Sequence, residues 1–140
     1  MTRWAIADTG PLVALLDRRE RHHAWAVEQV RSLTPPLLVC EPVLVEAFFL
    51  LAHLPAAQGA LFSQLEKGAL KIAFHLDEQV SEIRTLSKKY RDRPISLADA
   101  CVIRMAELFD DHQVFTLDSD FAVYRKHGRE ALALLYPGAG

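Results

Sequence analysis

Cysteine is scarce in this sequence, and its scarcity narrows the kinds of site that the chain can build. The two cysteines, Cys40 and Cys101, lie in separate apolar stretches, and neither has a second cysteine or a histidine at the spacing of a zinc site. We therefore expect neither a zinc site nor a disulfide framework. Both side chains are predicted to be buried thiols in a reducing compartment, which makes the cytoplasm the expected location.

Long hydrophobic runs and a secretory signal are also missing. No apolar run reaches the roughly 18 residues that a membrane span requires, and the N-terminus lacks a charged segment followed by an apolar one. A membrane location is therefore not expected. The 140 residues have the length of one domain, so we predict a single compact domain over residues 1–140.

Neither sign of charge dominates. Sixteen Lys and Arg residues stand against 18 Asp and Glu residues, which gives a formal net charge of −2. This balance excludes the uniformly basic surface of many nucleic-acid-binding proteins, but it is compatible with a local basic patch beside an acidic site. The sequence also lacks a Walker-type phosphate loop, a G-x-S-x-G motif and a Ser-His-Asp context, so we expect no catalysis by a side-chain nucleophile.

A strand, a tight turn and a helix are predicted over residues 4–16. A short apolar run ends at Asp8, passes through Thr9, Gly10 and Pro11, and continues as a second apolar run. Gly10 suits a tight turn, and Pro11 suits the first turn of a helix. Asp8 then stands at the carboxyl end of a buried strand, where open α/β sheets bind ligands. A helix-capping role for Asp8 is equally compatible with the sequence.

Short apolar strands alternate with helices along the rest of the chain, which indicates an α/β domain with a mainly parallel central sheet. The carboxyl ends of parallel strands share one edge of a sheet, so side chains that follow different strands can converge there. The further strands are predicted over residues 37–40, 70–74, 113–116 and 131–135, and the further helices over residues 24–33, 42–54, 56–67, 77–90 and 95–107.

Glu46 is the only formally charged residue in the apolar segment 42–54. Because an unpaired buried carboxylate costs several kcal/mol, Glu46 is expected either to reach the surface or to meet a cation, and a ligand role is as good an interpretation as any other. A helix that is apolar on nearly every side is central or is covered by a partner. Phe48, Phe49 and Leu50 are therefore candidates for a subunit interface as well as for the core.

Two further segments carry acidic residues beside structural signals. Ser96 occupies an N-cap position and Asp99 follows three residues later, near a capping-box arrangement that Asp is expected to close poorly. Asp99 is therefore expected to point elsewhere, outward from the positive end of the helix. Asp118 and Asp120 follow the strand over 113–116, where both ligand and turn-forming roles are open.

Basic residues are clustered at two places that we consider for phosphate contact. Arg18, Arg19 and Arg21 follow the first helix, and Arg125 and Lys126 precede the last predicted strand. A solvated loop is the favoured interpretation of the first cluster, and contact with an RNA backbone is the alternative. A third group at the end of the helix over 77–90 is explained by the helix dipole, with phosphate contact as the alternative; it comprises Lys88, Lys89, Arg91 and Arg93.

The acidic residues suggest a site for a hard divalent cation. Several carboxylates held close together repel one another, and some take up protons unless a cation compensates them. Oxygen ligands favour Mg²⁺, with Mn²⁺ as a possible substitute, and Mg²⁺ usually retains waters and borrows ligands from phosphate. Without a Walker-type loop, such a site points to the hydrolysis of phosphodiesters by water that the metal activates.

Four segments, in this order along the chain, resemble the successive motifs of PIN-domain nucleases, especially of VapC-type toxins from bacterial toxin–antitoxin modules. They are I-A-D-T-G-P-L over residues 6–12, Glu46 within its apolar helix, S-L-A-D-A over residues 96–100 and T-L-D-S-D-F over residues 116–121. The resemblance implies a three-layer α/β/α fold with a mainly parallel sheet. It also implies a magnesium-dependent endoribonuclease, a homodimer and inhibition by a cognate antitoxin.

The matching motifs also imply roles for individual residues. Asp8 and Asp99 are the expected principal metal ligands, and Glu46 is expected to assist directly or through water. Asp118 completes the acidic set, and Asp120 is expected to share or to take over its role. Thr9 and Thr116 are expected to orient a carboxylate or a water molecule by hydrogen bonding.

The sequence therefore predicts an endoribonuclease toxin of the VapBC type, in which metal-activated water hydrolyses RNA. One alternative is a catalytically quiet PIN-like module that binds metal or RNA and regulates. Another is a magnesium phosphohydrolase of small molecules, which is disfavoured because aspartyl-phosphate enzymes require an early D-x-D pair and Asp8 is followed by Thr9 and Gly10.

Overall fold

The computed structural model describes residues 2–139 and contains a five-stranded sheet in the order β3-β2-β1-β4-β7. All four pairings in this sheet are parallel. Its strands are β1 (Ala5–Ala7), β2 (Leu37–Val39), β3 (Leu70–Ile72), β4 (Gln113–Phe115) and β7 (Leu134–Leu135). The predicted mainly parallel α/β architecture is therefore confirmed.

Six α-helices connect these strands. They are α1 (Thr9–Leu16), α2 (His23–Ser32), α3 (Glu41–Leu50), α4 (Pro55–Lys67), α5 (Val80–Lys89) and α6 (Leu97–Leu108). Helix α4 ends where the sequence predicts, because Gly68 adopts the left-handed conformation with φ 78°. No helix within residues 2–139 has both the length and the apolarity that crossing a bilayer would take.

The central strand β1 is buried along its whole length and sets the register of the sheet. Ile6 pairs with Leu38 on one side and with Val114 on the other. Ala7 pairs with Phe115, so β1 and β4 end together at the same edge of the sheet. The residues that follow these two strands, Asp8 and Thr116, are therefore neighbours.

Helices cover both faces of the sheet and complete three layers. On one face, Val102 and Ile103 of α6 are buried in the larger core cluster together with Ile6 and Val114. On the other face, Ala14 of α1 and Ala26 of α2 are buried in a smaller cluster with Ala5 and Phe115. Neighbouring side chains of β4, Val114 and Phe115, thus enter different clusters, as the pleat requires. This arrangement confirms the predicted α/β/α fold.

The predicted final strand over residues 131–135 is not one strand. Residues Glu130–Ala131 form β6, which pairs antiparallel with β5 (Arg125–Lys126) in a separate hairpin, and only β7 joins the central sheet. The reason lies in the turn between them, where His127 and Gly128 both have positive φ, 51° and 84°. Two such residues make a tight hairpin turn that pairs the flanking residues with each other.

Candidate active site

Asp8 lies between β1 and α1 and is buried, with 7% of its surface exposed. It occupies the N-cap position, yet its side chain makes no capping hydrogen bond to the helix. Instead, its Oδ2 accepts a hydrogen bond of 2.8 Å from Thr116 Oγ1. The capping interpretation of Asp8 is therefore wrong, and the carboxylate faces the residues that follow β4.

Glu46 reaches the same edge of the sheet from α3. Its Oε2 accepts a hydrogen bond of 2.8 Å from Thr9 Oγ1. The Glu46 side chain is exposed, in keeping with the expectation that a carboxylate in this apolar helix emerges at the surface unless a cation meets it. Thr9 and Thr116, on either side of Asp8, thus each hold one carboxylate in place.

The segment after β4 folds back on itself through local hydrogen bonds. The backbone N–H of Asp118 donates to Thr116 Oγ1 at 2.9 Å, and the N–H of Asp120 donates to Asp118 Oδ1 at 2.9 Å. The Thr116 hydroxyl therefore links Asp8 to Asp118. Both the turn-forming and the site interpretation of Asp118 agree with this geometry, because one carboxylate oxygen stabilises the turn while the charge stays near Asp8.

Asp99 stands in the first turn of α6 and takes part in a complete capping box. Its N–H donates to Ser96 Oγ at 2.9 Å, and the N–H of Ser96 donates to Asp99 Oδ2 at 3.4 Å. The box is therefore closed, but its second contact is long, as expected for the short side chain of Asp. Only Oδ2 is used in the box, which leaves Oδ1 outside it.

The charges of these side chains act on one another, which places them in one neighbourhood. Burial raises the pKa of Asp8 to about 6; the nearby Thr9 backbone and the hydrogen bond from Thr116 oppose this, and the charges of Asp99 and Asp118 add to it. The pKa of Asp99 is also raised, first by burial and then by the charges of Asp118 and Glu46, against hydrogen bonds to Ser96. We call Asp8, Glu46, Asp99 and Asp118 the acidic cleft.

Whether this donor set suits Mg²⁺ depends on how many protein ligands the ion needs. Among residues 2–139, no three Asp, Glu, His or Cys side chains lie close enough to enclose a metal by themselves. Mg²⁺ usually binds through one or two carboxylates together with waters and substrate phosphate, so a complete protein cage is not required. Hard oxygen donors with raised pKa values in a partly buried cleft fit such an ion.

The predicted RNA contacts at Arg18, Arg19 and Arg21 lie at the far end of α1 from Asp8. Helix α1 has eight residues, and a helix of that length spans about 12 Å. All three arginines are exposed in the turn after this helix, and Arg19 Nε lies 3.5 Å from Asp17 Oδ1. The structure therefore does not bring this cluster to the acidic cleft.

Arg125 and Lys126 are engaged elsewhere as well. Arg125 Nη1 donates to the backbone oxygens of Ala122, Val123 and Tyr124. The Lys126 side chain is buried, and its Nζ lies 2.6 Å from Asp110 Oδ1. Asp110 follows the C-terminus of α6, and the 11 residues from Asp99 to Asp110 correspond to about 16 Å along a helix.

Two residues near the acidic cleft were not identified from the sequence as part of it. Arg93 lies beyond the end of α5, and its Nη1 is 3.4 Å from Asp120 Oδ1. The hydroxyl of Tyr124 is buried without a hydrogen-bond partner among the described residues. Burial and the charges of Asp99, Asp120 and Asp118 raise the pKa of Tyr124 to about 12, while Arg93 opposes them. The sequence allows phosphate contact as an alternative for Arg93, but it signals neither the pairing of Arg93 with Asp120 nor the burial of Tyr124.

The fold and the acidic residues at the carboxyl edge of its sheet agree with the match between this chain and a known family. The PIN domain model matches residues 5–127, a range that includes the whole acidic cleft and Asp120. The chain therefore belongs to the PIN domain family. The resemblance that the four sequence motifs suggest is confirmed.

VapC proteins are among the relatives of this chain. Ribonuclease VapC26 of Mycobacterium tuberculosis is 30% identical over 115 residues, which cover 81% of this chain and 85% of the relative. Among solved structures, M. tuberculosis VapC20, described as a sarcin–ricin loop cleaving toxin, superimposes with a TM-score of 0.75 at 17% identity, covering 85% of this chain and 93% of VapC20. A toxin–antitoxin complex from Klebsiella pneumoniae gives a TM-score of 0.65 at 18% identity, covering 84% and 90%.

Proposed function

We propose that this protein is a metal-dependent endoribonuclease and the toxin of a VapBC-type toxin–antitoxin pair. The observation that carries the proposal is the acidic cleft itself, in which Asp8 is buried near Asp99 and Asp118 without a cation of the chain beside it in the described residues. Such an arrangement costs stability and is expected where an external cation is bound. The similarity to Ribonuclease VapC26 supports RNA as the substrate.

Asp8 and Asp99 are the residues that we assign to a divalent cation, Mg²⁺ or Mn²⁺. Glu46 and Asp118 assist, whereas Asp120 pairs with Arg93. A bound divalent cation lowers the pKa of a water molecule and stabilises negative charge on phosphate oxygens. The role of the neighbouring hydroxyls is to hold the carboxylates in position before substrate arrives: Thr116 holds Asp8, and Thr9 holds Glu46.

The substrate and the location follow from the same proposal. RNA phosphodiesters are the expected substrate, and a cytoplasmic location is consistent with Cys40 and Cys101, which are both buried free thiols. A cognate antitoxin is the expected protein partner, because a toxin–antitoxin complex is among the similar structures. Co-expression with the product of an adjacent small reading frame is expected to suppress RNA cleavage.

The decisive experiment incubates the purified protein with total bacterial RNA, with and without Mg²⁺, and maps the new RNA ends. Cleavage is expected only with the metal and is expected to disappear in Asp8→Asn, which keeps the size of the side chain and removes its charge. Undiminished cleavage by this variant would rule out the site assignment. Metal binding without cleavage of any RNA would favour a regulatory module, and turnover of phosphomonoesters alone would favour a small-molecule phosphohydrolase.

A homodimer is part of the proposal because α3 and α4 leave an apolar surface open. Val45 is 68% exposed, Phe49 78%, and Phe62 of α4 58%. Phe48 is only partly exposed, and its ring lies 4.7 Å from that of Phe62. Single exposed apolar residues are ordinary, but a contiguous group of large ones marks an interaction surface.

Light scattering on the purified protein tests the dimer. The wild-type protein is expected to have the mass of two chains, and Phe49→Asp is expected to have the mass of one, because a charge on this surface opposes association. Leu108→Asp is the matched control, since Leu108 is 44% exposed at the end of α6. Equal masses for Phe49→Asp and the wild type would exclude this surface as the interface.

A further inference from the structure

Positively charged side chains near the acidic cleft are candidates for contact with the substrate, because an acidic site that receives a polyanion needs positive charge at its rim. Several cations of the described residues have partners away from the cleft. Arg104 contacts Gln79 and Glu107, and Lys126 contacts Asp110 beyond the far end of α6. Within residues 2–139, Arg93 is the cation that forms an ion pair with an acid of the segment after β4.

The backbone fixes where Arg93 stands. Its N–H donates to the carbonyl oxygen of Tyr90 at 2.9 Å, which closes a turn directly after α5. Pro94 follows and disfavours a helical conformation at Arg93. Ser96 then caps α6, so Arg93 lies three positions before the cap of the helix that carries Asp99. The side chain is therefore supplied from a defined loop at the edge of the acidic cleft.

The ion pair between Arg93 and Asp120 contributes too little to the stability of the fold for stability to explain its presence. Nη1 and Oδ1 are 3.4 Å apart, and the two side chains are 44% and 48% exposed. Exposed ion pairs of this kind contribute little to folding. A guanidinium has five N–H donors in a planar fork that suits two phosphate oxygens, and this is the one side-chain hydrogen bond that Arg93 makes within residues 2–139.

Electrostatics indicates the same neighbourhood. The charges of Asp99, Asp120 and Asp118 raise the pKa of the buried Tyr124, and the charge of Arg93 lowers it. Arg93 and two acids of the cleft, Asp99 and Asp118, therefore all lie close enough to Tyr124 to shift its pKa. An arginine placed there offsets repulsion between the acids and an incoming phosphate.

We propose that Arg93 binds a phosphate of the RNA backbone next to the phosphodiester that is cleaved, and that Asp120 positions its side chain for this contact. The inference rests on the proposed function and identifies a substrate contact of the same site. It also gives the two acids after β4 different roles: Asp118 belongs with the metal ligands, and Asp120 holds Arg93.

RNA binding by the uncleaving Asp8→Asn protein tests the inference. Fluorescence anisotropy of a short, labelled, mixed-sequence single-stranded RNA is measured over a series of KCl concentrations. Arg93→Ala is expected to weaken binding about tenfold and to reduce the slope of log affinity against log salt by about 0.7, the contribution of one phosphate contact. Arg84→Ala is the matched control, because Arg84 is exposed on α5 and the variant changes the charge equally.

Two further variants test geometry as well as charge. Arg93→Lys is expected to retain the salt slope and to lose part of the affinity, because an ammonium cannot engage two oxygens in a planar fork. Asp120→Asn is expected to reduce the effect of a subsequent Arg93→Ala change, which a purely structural role for Asp120 would not do. Thermal unfolding of each variant verifies that the fold is intact.

The possible results separate this inference from the proposed function. If Arg93→Ala binds RNA as Arg84→Ala does, Arg93 is not a phosphate contact and the proposed function stands. If the Asp8→Asn protein shows no salt-dependent RNA binding and the wild-type protein cleaves no RNA with Mg²⁺, both the inference and the proposed function are overturned. A specific loss at Arg93 supports both.

Discussion

The two ends of α6 carry aspartates in opposite electrostatic situations. Asp99, in the first turn, has a raised pKa because it is partly buried and faces Asp118 and Glu46. Asp110, just beyond the last turn, has a lowered pKa because Lys126 and His127 donate hydrogen bonds to it. The comparison teaches that the chain pairs Asp110 with its own cations, whereas Asp99 forms no ion pair within residues 2–139.

The largest expected effect comes from removing these two charges in turn. Asp99→Asn is expected to reduce RNA cleavage at least about 100-fold, since changes to groups that merely support a metal ligand already cost 10–100-fold. Asp110→Asn is expected to leave cleavage unchanged. Initial rates of RNA cleavage at saturating Mg²⁺ measure both. Equal losses in the two variants would show that the distinction between the ends of α6 has no bearing on function.

The free energy of unfolding is expected to depend on pH through Asp8, a second carboxylate of the cleft. Its pKa rises from 3.8 in the unfolded chain to about 6 in the fold, so the unfolded state loses its proton first as the pH rises. The free energy of unfolding therefore falls between about pH 4 and pH 6 and then levels off, by up to about 3 kcal/mol from this one group. Asp8→Asn is expected to be the more stable protein at neutral pH by a similar amount.

Urea unfolding of both proteins from pH 4 to pH 8, with a chelator present, measures this difference. The stability gained by Asp8→Asn is expected to be near zero at the acidic end and largest above pH 6. A gain that does not vary with pH, or a loss at neutral pH, would contradict the assignment of burial as the cause.

A bound divalent cation is expected to restore part of the stability that the wild-type protein loses when Asp8 is ionised. At a Mg²⁺ concentration ten times its Kd, linkage predicts about 1.4 kcal/mol of added stability. Asp8→Asn is expected to gain much less, because a principal ligand has lost its charge. Thermal unfolding with and without Mg²⁺ or Mn²⁺ gives both numbers, and an equal gain in the two proteins would place the ion elsewhere.

The smallest effect is expected beyond the C-terminal end of α6, where Lys126 pairs with Asp110. Lys126→Met removes the partner of Asp110 while it keeps an apolar stem of similar length. Because Asp110 is well exposed, a decrease of no more than about 3 °C in Tm is expected, with cleavage unchanged. A severe loss of cleavage in a folded Lys126→Met protein would instead support Lys126 as an RNA contact.

Local sequence signals predicted the fold and the places of Asp8, Asp99 and Asp118 along its strands and helices. Asp8 and Asp118 each follow a short apolar strand, and Ser96 marks the start of α6, so their positions follow from neighbouring residues. What the sequence could not show is that β1 and β4 lie side by side, because that pairing joins residues more than 100 positions apart. The Thr116 hydrogen bond to Asp8 depends entirely on it.

Contacts of the cations were the least predictable part. A sequence cluster such as Arg125 and Lys126 reveals positive charge, but it does not reveal which group each side chain contacts. In the fold, Arg125 contacts backbone carbonyls and Lys126 contacts Asp110. Arg93 was attributed to the end of a helix that in fact ends at Lys89. Its contact with Asp120 arises from a loop and a turn whose shapes depend on tertiary packing.

The pairing of β1 with β4 also determines when the acidic cleft can exist during synthesis. A ribosome that has translated as far as α6 has already made Asp8, Glu46 and Asp99, but Thr116 and Asp118 are still missing. The nascent chain therefore stays without a finished cleft until its last quarter leaves the exit tunnel. Products that stop before β4 contain Asp8, Glu46 and Asp99 but lack the strand that pairs with β1 and the Thr116 hydroxyl that holds Asp8.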